Sequence, residues 1–338
     1  MSSSKHIVAM LRSRAEGDDE QFYSIALQVA AAEARQGHRT TANEIRAAVD
    51  EARSKNGVAP SVVVPFAVPR GELAGLLDLR ESRATLGNVV VSARLADRLE
   101  ALLHQQRRRD WLREHGKIPN RRVLFIGPPG VGKTLTAEAL AGELRLPLYT
   151  IRLESLITRY MGETAAKLRL VFNETLKRRA VYFFDEFDAV GHHRAAENDV
   201  AEMRRVLSSF LLFLEEPSSV DSLIVAATNH GAMLDRALTR RFDEVLEFDL
   251  PTGDEIRAIA KSYLRPMRYP KMVWESVLNA AQGLSQAEVA RAAEEAVKAA
   301  ILSQSRVVEC EALVARIWER RAMVAAVQGS PSTAKDIS

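Results

Sequence analysis

RRVLFIGPPGVGKTLTAEALAGEL (Arg121–Leu144) runs from an apolar stretch through a glycine-rich turn into an amphipathic pattern. VLFI reads as a buried strand, and LTAEALAGEL as a helix. Between them, GPPGVGKT meets every fixed position of the pattern G-x-x-x-x-G-K-[ST]. Gly127, Gly130 and Gly132 allow the backbone to approach phosphate oxygens and turn its N–H groups inward. Pro128, Pro129 and Val131 complete the loop. It ends on a helix N-terminus, whose partial positive charge favours an anion. Lys133 is then placed for β/γ phosphates and the Thr134 hydroxyl for Mg²⁺, with Leu135 beside them.

A second motif follows. AVYFFDEFDAVG carries four largely apolar residues, Val181 to Phe184, and then two carboxylates. Carboxylates just beyond a buried strand must face a pocket, because burying them unpaired is costly. Asp185 suits a magnesium ligand acting through water. Glu186 suits the base that activates an attacking water, so its presence argues for hydrolysis rather than binding alone. A third segment, SLIVAATNHGAMLDRALTRRFDEVLEF, brings Asn229 to a strand tip, where an amide polarises water or touches a γ-phosphate. Arg240 and Arg241 follow with permanent planar charges suited to a developing phosphoryl charge. Their competing reading is a salt bridge to Asp235 or Asp243 of the same chain.

Around these motifs the chain of 338 residues is 47% hydrophobic and 27% charged, as in ordinary globular proteins. The single cysteine, Cys310, excludes an internal disulfide and suits a reducing, cytoplasmic setting. No signal-peptide pattern and no apolar run of about 20 residues is expected to direct it to a membrane. Net charge is +3 with pI ≈ 9.0. The arginines of QQRRRDWLR (105–113) read as solvated faces, with nucleic-acid contact as the alternative. Trp111, Trp274 and Trp318 read as packing residues. Paired His192-His193 show no third ligand nearby for a metal.

Residues 1–56 read as an N-terminal helical unit: Phe22, Ile25, Ala26 and Val29 share a face, and Thr41 with Glu44 form a capping-box pattern. Residues 57–75, rich in proline, read as a linker. Strands alternating with helices over 76–250 predict an α/β unit with a parallel sheet. A helix-like run spans Ala93 to His115 within it. Residues 251–326 read as all helical, and 327–338 as a disordered tail.

Together the three motifs resemble the AAA+ ATPases, and more narrowly their AAA clade, over roughly Leu76 to Ala326. The resemblance implies a nucleotide-binding sheet flanked by helices, a small C-terminal helical lid, and ATP with Mg²⁺ as cofactors. It implies a homo-oligomeric ring, usually a hexamer, with nucleotide between subunits. In that scheme Asn229 looks like the sensor asparagine, and Arg240 and Arg241 like the arginine fingers. The clade usually places Pro-Gly between its two arginines; here they are adjacent, so both stay candidates. GLSQAEV (283–289) has no arginine where many relatives carry a second sensor. The first 56 residues weakly resemble the leader of bacterial stand-alone members, some of which pair with a protease, but this chain has no H-E-x-x-H or G-x-S-x-G.

SLITRYMGETAAK (155–167) lies where the clade carries a loop facing the ring channel. Tyr160, Met161 and Gly162 fit its aromatic, soft apolar neighbour and hinge; the alternative is a Tyr160 packed inward. Three readings of function follow. One is ATP-driven remodelling, unfolding or threading of a polypeptide, with residues 1–56 recruiting substrate, a protease or another partner. The others are a nucleic-acid-associated switch or loader, and a regulatory ATPase gating a partner enzyme.

Overall fold

The computed structural model describes residues 71–156, 163–186, 207–218, 220–231, 239–265 and 267–328, together with Ala26, Val29, Ala30, Thr40, Thr41 and Glu44. The chain divides into two compact units, Met1–Ala67 and Val68–Ser338. In the first, the described residues are all helical, and Ala26 and Ala30 are buried. Phe22, Ile25, most of the expected linker and the tail beyond Gln328 lie outside the described residues, as do Tyr160, Met161, Gly162, His192 and His193.

The second unit opens with a 3₁₀ turn, Gly71–Gly75, and strand β1 (Leu77–Arg80). Helices α1 (Ala93–Arg107) and α2 (Arg109–Glu114) lead to β2 (Arg122–Ile126), α3 (Lys133–Leu144) and β3 (Leu148–Ile151). Then come α4 (Leu153–Leu156), α5 (Glu163–Thr175), β4 (Val181–Phe184), a helical stretch over 207–214, β5 (Leu223–Thr228) and β6 (Glu244–Glu247). Helices α6 (Gly253–Leu264), α7 (Trp274–Ala281), α8 (Gln286–Leu302) and α9 (Cys310–Gln328) complete it.

The strands form one sheet in the order β1-β3-β4-β5-β2-β6, parallel throughout except for β1 against β3. The five strands expected to form a parallel sheet do so; β1 adds an antiparallel edge strand to it. LDLR is too short and too charged for its alternation to stand out. The run expected as one helix from Ala93 to His115 is also two, broken at Arg108 (φ −104°, ψ 25°).

Strands β4 and β5 are buried along their whole length, as covering both faces requires. Their side chains alternate between two cores. Tyr182, Phe184, Ile224 and Ala226 face α5 and Phe210. Val181, Phe183, Val225 and Ala227 face α1 and α3. A third core is built from α6 to α9, where the alanines Ala292, Ala293 and Ala296 of α8 let neighbouring helices approach. Among the described residues no helix is long and apolar enough to cross a membrane.

Arginines and carboxylates knit the N-terminal ends of the strands. Asp221, 3% exposed, accepts from Arg113 at 2.8 Å, and Arg109 lies 3.8 Å away. Arg98 Nε donates to Glu244 at 2.7 Å. Burial lowers the Arg121 pKa, with Arg122 beside it. Asp243 accepts from the backbone N–H groups of Arg121 and Arg122, 3.0 Å each, and from the Arg122 guanidinium. Burial alone pushes the Asp243 carboxyl up; the Arg122 guanidinium and these two N–H groups outweigh it and hold it below the usual carboxylate range. Of the tryptophans expected as packing residues, Trp274 packs on the third core, while Trp111 and Trp318 are more than half exposed, Trp111 against the His115 ring and Trp318 under the Arg321 guanidinium.

Two outcomes are expected. Asp221→Ala lowers stability by roughly 1.5–3 kcal/mol in urea unfolding, less than for a fully buried pair because Arg113 and Arg109 reach solvent. Asp243 stabilises the fold in full above the ordinary carboxylate pKa and loses that contribution as pH falls through its own lower value. Asp243→Asn therefore reduces the loss of stability below about pH 5, seen in urea titrations across pH.

Candidate functional site

Parallel pairing of β4, β5 and β2 brings three distant motifs to one edge of the sheet. Phe184 pairs with Ala226, and Ile126 with Thr228. The residues that follow each strand therefore emerge side by side: Gly127 after β2, Asp185 after β4 and Asn229 just beyond β5. Strand β2, which leads into the glycine-rich loop, lies between β5 and β6 in the sheet.

The loop from Gly127 to Gly132 is a backbone cradle. A Cβ on Gly127 would collide with the carbonyl of Phe248. Gly130 has φ +79°, and a Cβ there would lie 2.6 Å from Ser285 Oγ. The Lys133 side chain, 7% exposed, donates to Gly127 O at 2.6 Å, Pro128 O at 2.8 Å and Asn229 Oδ1 at 2.8 Å. A buried ammonium held on neutral oxygens suits exchange for phosphate oxygens. The Thr134 hydroxyl donates to Asp185 Oδ2 at 2.9 Å, so a hydroxyl and a carboxylate meet as hard oxygen donors suited to Mg²⁺. Glu186 is exposed beside them at φ +49°, its N–H donating to Asp185 Oδ1 at 2.9 Å.

These groups line a cleft of about 350 Å³. Its opposite wall holds residues the sequence motifs did not mark: Val90, Ile259, Tyr263, Gln286 and Ala287. Gln286 Nε2 donates to Val90 O at 2.9 Å, and the Ala287 N–H to Gly130 O at 2.9 Å. The start of α8 thus rests directly on the cradle. The Ser285 cap of that helix was readable, since its hydroxyl accepts from Glu288 N–H. Nothing in sequence joins it to a glycine far upstream.

Arg240 and Arg241 do not line this cleft. Arg241 pairs with Glu215, and Asp243 takes Arg122 instead of either arginine. Asp235 lies outside the described residues, as does the Tyr160 loop. The arginines of 105–113 are largely engaged within the chain: Arg107 with Glu143, Arg109 with Asp110 and Asp221, and Arg113 with Asp221.

Comparison with known proteins agrees with this geometry. Residues 123–250 match the ATPase family associated with various cellular activities (AAA). An AAA family ATPase of Sinorhizobium fredii is 36% identical over 296 residues, 87% of this chain and 88% of that protein. A 26S proteasome regulatory subunit homolog of Methanothermobacter marburgensis is 36% identical over 149 residues, 44% of this chain and 40% of that protein. The ATP-dependent zinc metalloprotease FtsH of Cupriavidus metallidurans is 35% identical over 206 residues, 58% of this chain but only 31% of its own length. With the phosphate cradle, the Asp-Glu strand end and Asn229 gathered on one sheet edge, and with a relative matched along most of both chains, the protein belongs to the AAA family and is an ATPase.

Proposed function

We propose that the cleft takes ATP with Mg²⁺ and that its hydrolysis drives remodelling, unfolding or threading of a protein substrate. The carrying observation is the meeting of Lys133, Asn229 and the Thr134–Asp185 pair at the ends of three adjacent parallel strands. ATP, as substrate, would bring the phosphoanhydride bond, and Mg²⁺ would supply neutralisation of phosphate charge. Lys133 leaves its carbonyl partners for phosphate oxygens. Thr134 and Asp185, hard oxygen donors, would hold the metal. Glu186 takes the proton of the attacking water, and Asn229 orients that water. An arginine from the next copy in a ring, hexameric by family likeness, answers the developing charge.

The substrate part of the reading is supported by the names of two relatives, a proteasome regulatory subunit homolog and an ATP-dependent metalloprotease. The 338 residues contain no zinc motif H-E-x-x-H, and residues 1–56 are proposed as a unit that recruits substrate or a partner such as a protease. Tyr160 and Met161 are proposed to grip varied side chains without demanding one sequence. Engagement of the 105–113 arginines in ion pairs weighs against the nucleic-acid reading.

Three measurements test this. Glu186→Gln is expected to lower turnover by about 10²–10⁴-fold while a fluorescent ATP analogue still binds; undiminished turnover removes Glu186 from the mechanism. Gly130→Ala strains a left-handed turn and presses on Ser285, so nucleotide affinity should fall by about tenfold or more, read by the same analogue. Tyr160→Ala should keep most of the ATPase rate and lose unfolding of a tagged test protein. Stimulation of the wild-type ATPase by DNA, with no response to unfolded polypeptide, would instead favour the loader reading.

A further inference from the structure

Opposite the phosphate cradle, the cleft is walled by two helix faces. Ile259 and Tyr263, one turn apart, come from α6, and Gln286 and Ala290, one turn apart, from α8. Val90, in the segment before α1, joins them. The wall is largely apolar, so its few polar groups decide what fits against it. Asn88 is one, but its Oδ1 accepts from the N–H and hydroxyl of Thr85, at 2.8 and 3.0 Å. Gln286 is another. It is half-buried, and its Nε2 donates to Val90 O at 2.9 Å. A carbonyl only accepts, so the carboxamide is oriented with its nitrogen toward Val90. Its Oε1 lies on the side of Gly132, 3.0 Å from where a Cβ on that glycine would stand. Each partner has capacity beyond this bond. A backbone carbonyl carries a second lone pair, and a carboxamide nitrogen a second N–H. The pair therefore presents an acceptor and a donor side by side in the cleft.

We propose that Gln286, oriented by the Val90 carbonyl, is the residue that selects the base of the nucleotide, and that it selects adenine. The proposal rests on the ATP reading above. The Watson–Crick edge of adenine carries a donor, the N6 amine, beside an acceptor, N1. Val90 O and the second N–H of Gln286 match the two in that order. Guanine and hypoxanthine carry the reverse, an acceptor at O6 and a hydrogen on N1. Either would set O6 against the Val90 oxygen and N1–H against the Gln286 N–H. Polar groups buried against their like lose their hydrogen bonds with water and gain none, which is the source of the discrimination. Ile259, Tyr263 and Ala290 supply apolar surface for the faces of the ring.

The test measures the affinity of the full chain for three diphosphates with Mg²⁺ by calorimetry, so that no hydrolysis intervenes. ADP carries adenine, inosine diphosphate carries hypoxanthine, and purine riboside diphosphate lacks the N6 amine but keeps N1. The wild-type chain should bind ADP about 10²-fold tighter than inosine diphosphate, with purine riboside diphosphate between them. Gln286→Ala should lower ADP affinity by about tenfold and leave inosine diphosphate affinity undiminished. Gln286→Glu puts acceptors where the donor stood, and should narrow the preference for ADP further. A Gln286 that only seats α8 would weaken both nucleotides equally, and an unchanged ratio of affinities in the two variants overturns the proposal. Where a variant fails to fold, the wild-type series decides, since equal affinity for the three ligands overturns base selection. Binding without preference overturns this proposal alone; binding of none of the three overturns the ATP reading and this proposal with it.

Discussion

Parallel pairing of β2 with β5, and of β5 with β4, is the constraint on which the site depends. A parallel ladder aligns the C-terminal ends of strands that are far apart in the chain, and both faces must be covered for it to survive in water. The two apolar cores meet that demand, with Phe184, Ala226 and Leu124 turned to one side and Phe183, Val225 and Val123 to the other. Once the ladder is fixed, Lys133 and Asn229 come within hydrogen-bonding distance although 96 positions separate them, as do Thr134 and Asp185 across 51. The candidate site therefore sits at the C-terminal ends of strands buried on both faces.

The second determinant is the seating of α8 on the phosphate cradle. Ala287 donates to Gly130, and Gln286 reaches Val90, so the helical C-terminal core touches both the loop and the segment that precedes α1. Contacts of this kind tie the position of the helices to the conformation of the loop. Glycine at 130 is what permits the approach, because any side chain would enter the space of Ser285. For an ATPase this supplies a direct mechanical link between the nucleotide cradle and the third core.

At the far end of the strands, the arginines act as internal connectors. Arg98, Arg109, Arg113 and Arg122 each meet a carboxylate, and Asp221 and Asp243 draw α2, β2, β5 and β6 together. A basic run in sequence is thus no measure of a basic surface in the fold. The same holds for tryptophan: Trp111 and Trp318 lie more than half in solvent, since a large side chain packs only where neighbouring elements leave it room.

The phosphate loop, the Asp-Glu strand end and the asparagine-bearing strand were legible in sequence, because each is a local pattern: an apolar run of strand length followed by residue types that only a ligand or solvent tolerates. The division between α/β and all-helical parts was legible for a similar reason, as periodicity changes from strand to helix. Edge strand β1 was not, because four residues with charges among them carry too little pattern. The wall formed by Val90, Tyr263, Gln286 and Ala287 was not, because it is assembled from segments nearly 200 residues apart that share no motif. Sequence alone likewise kept both Arg240 and Arg241 as candidates, with Arg240 favoured. Only the tertiary structure shows Arg241 paired with Glu215, because that carboxylate belongs to the fold around the turn rather than to the turn itself.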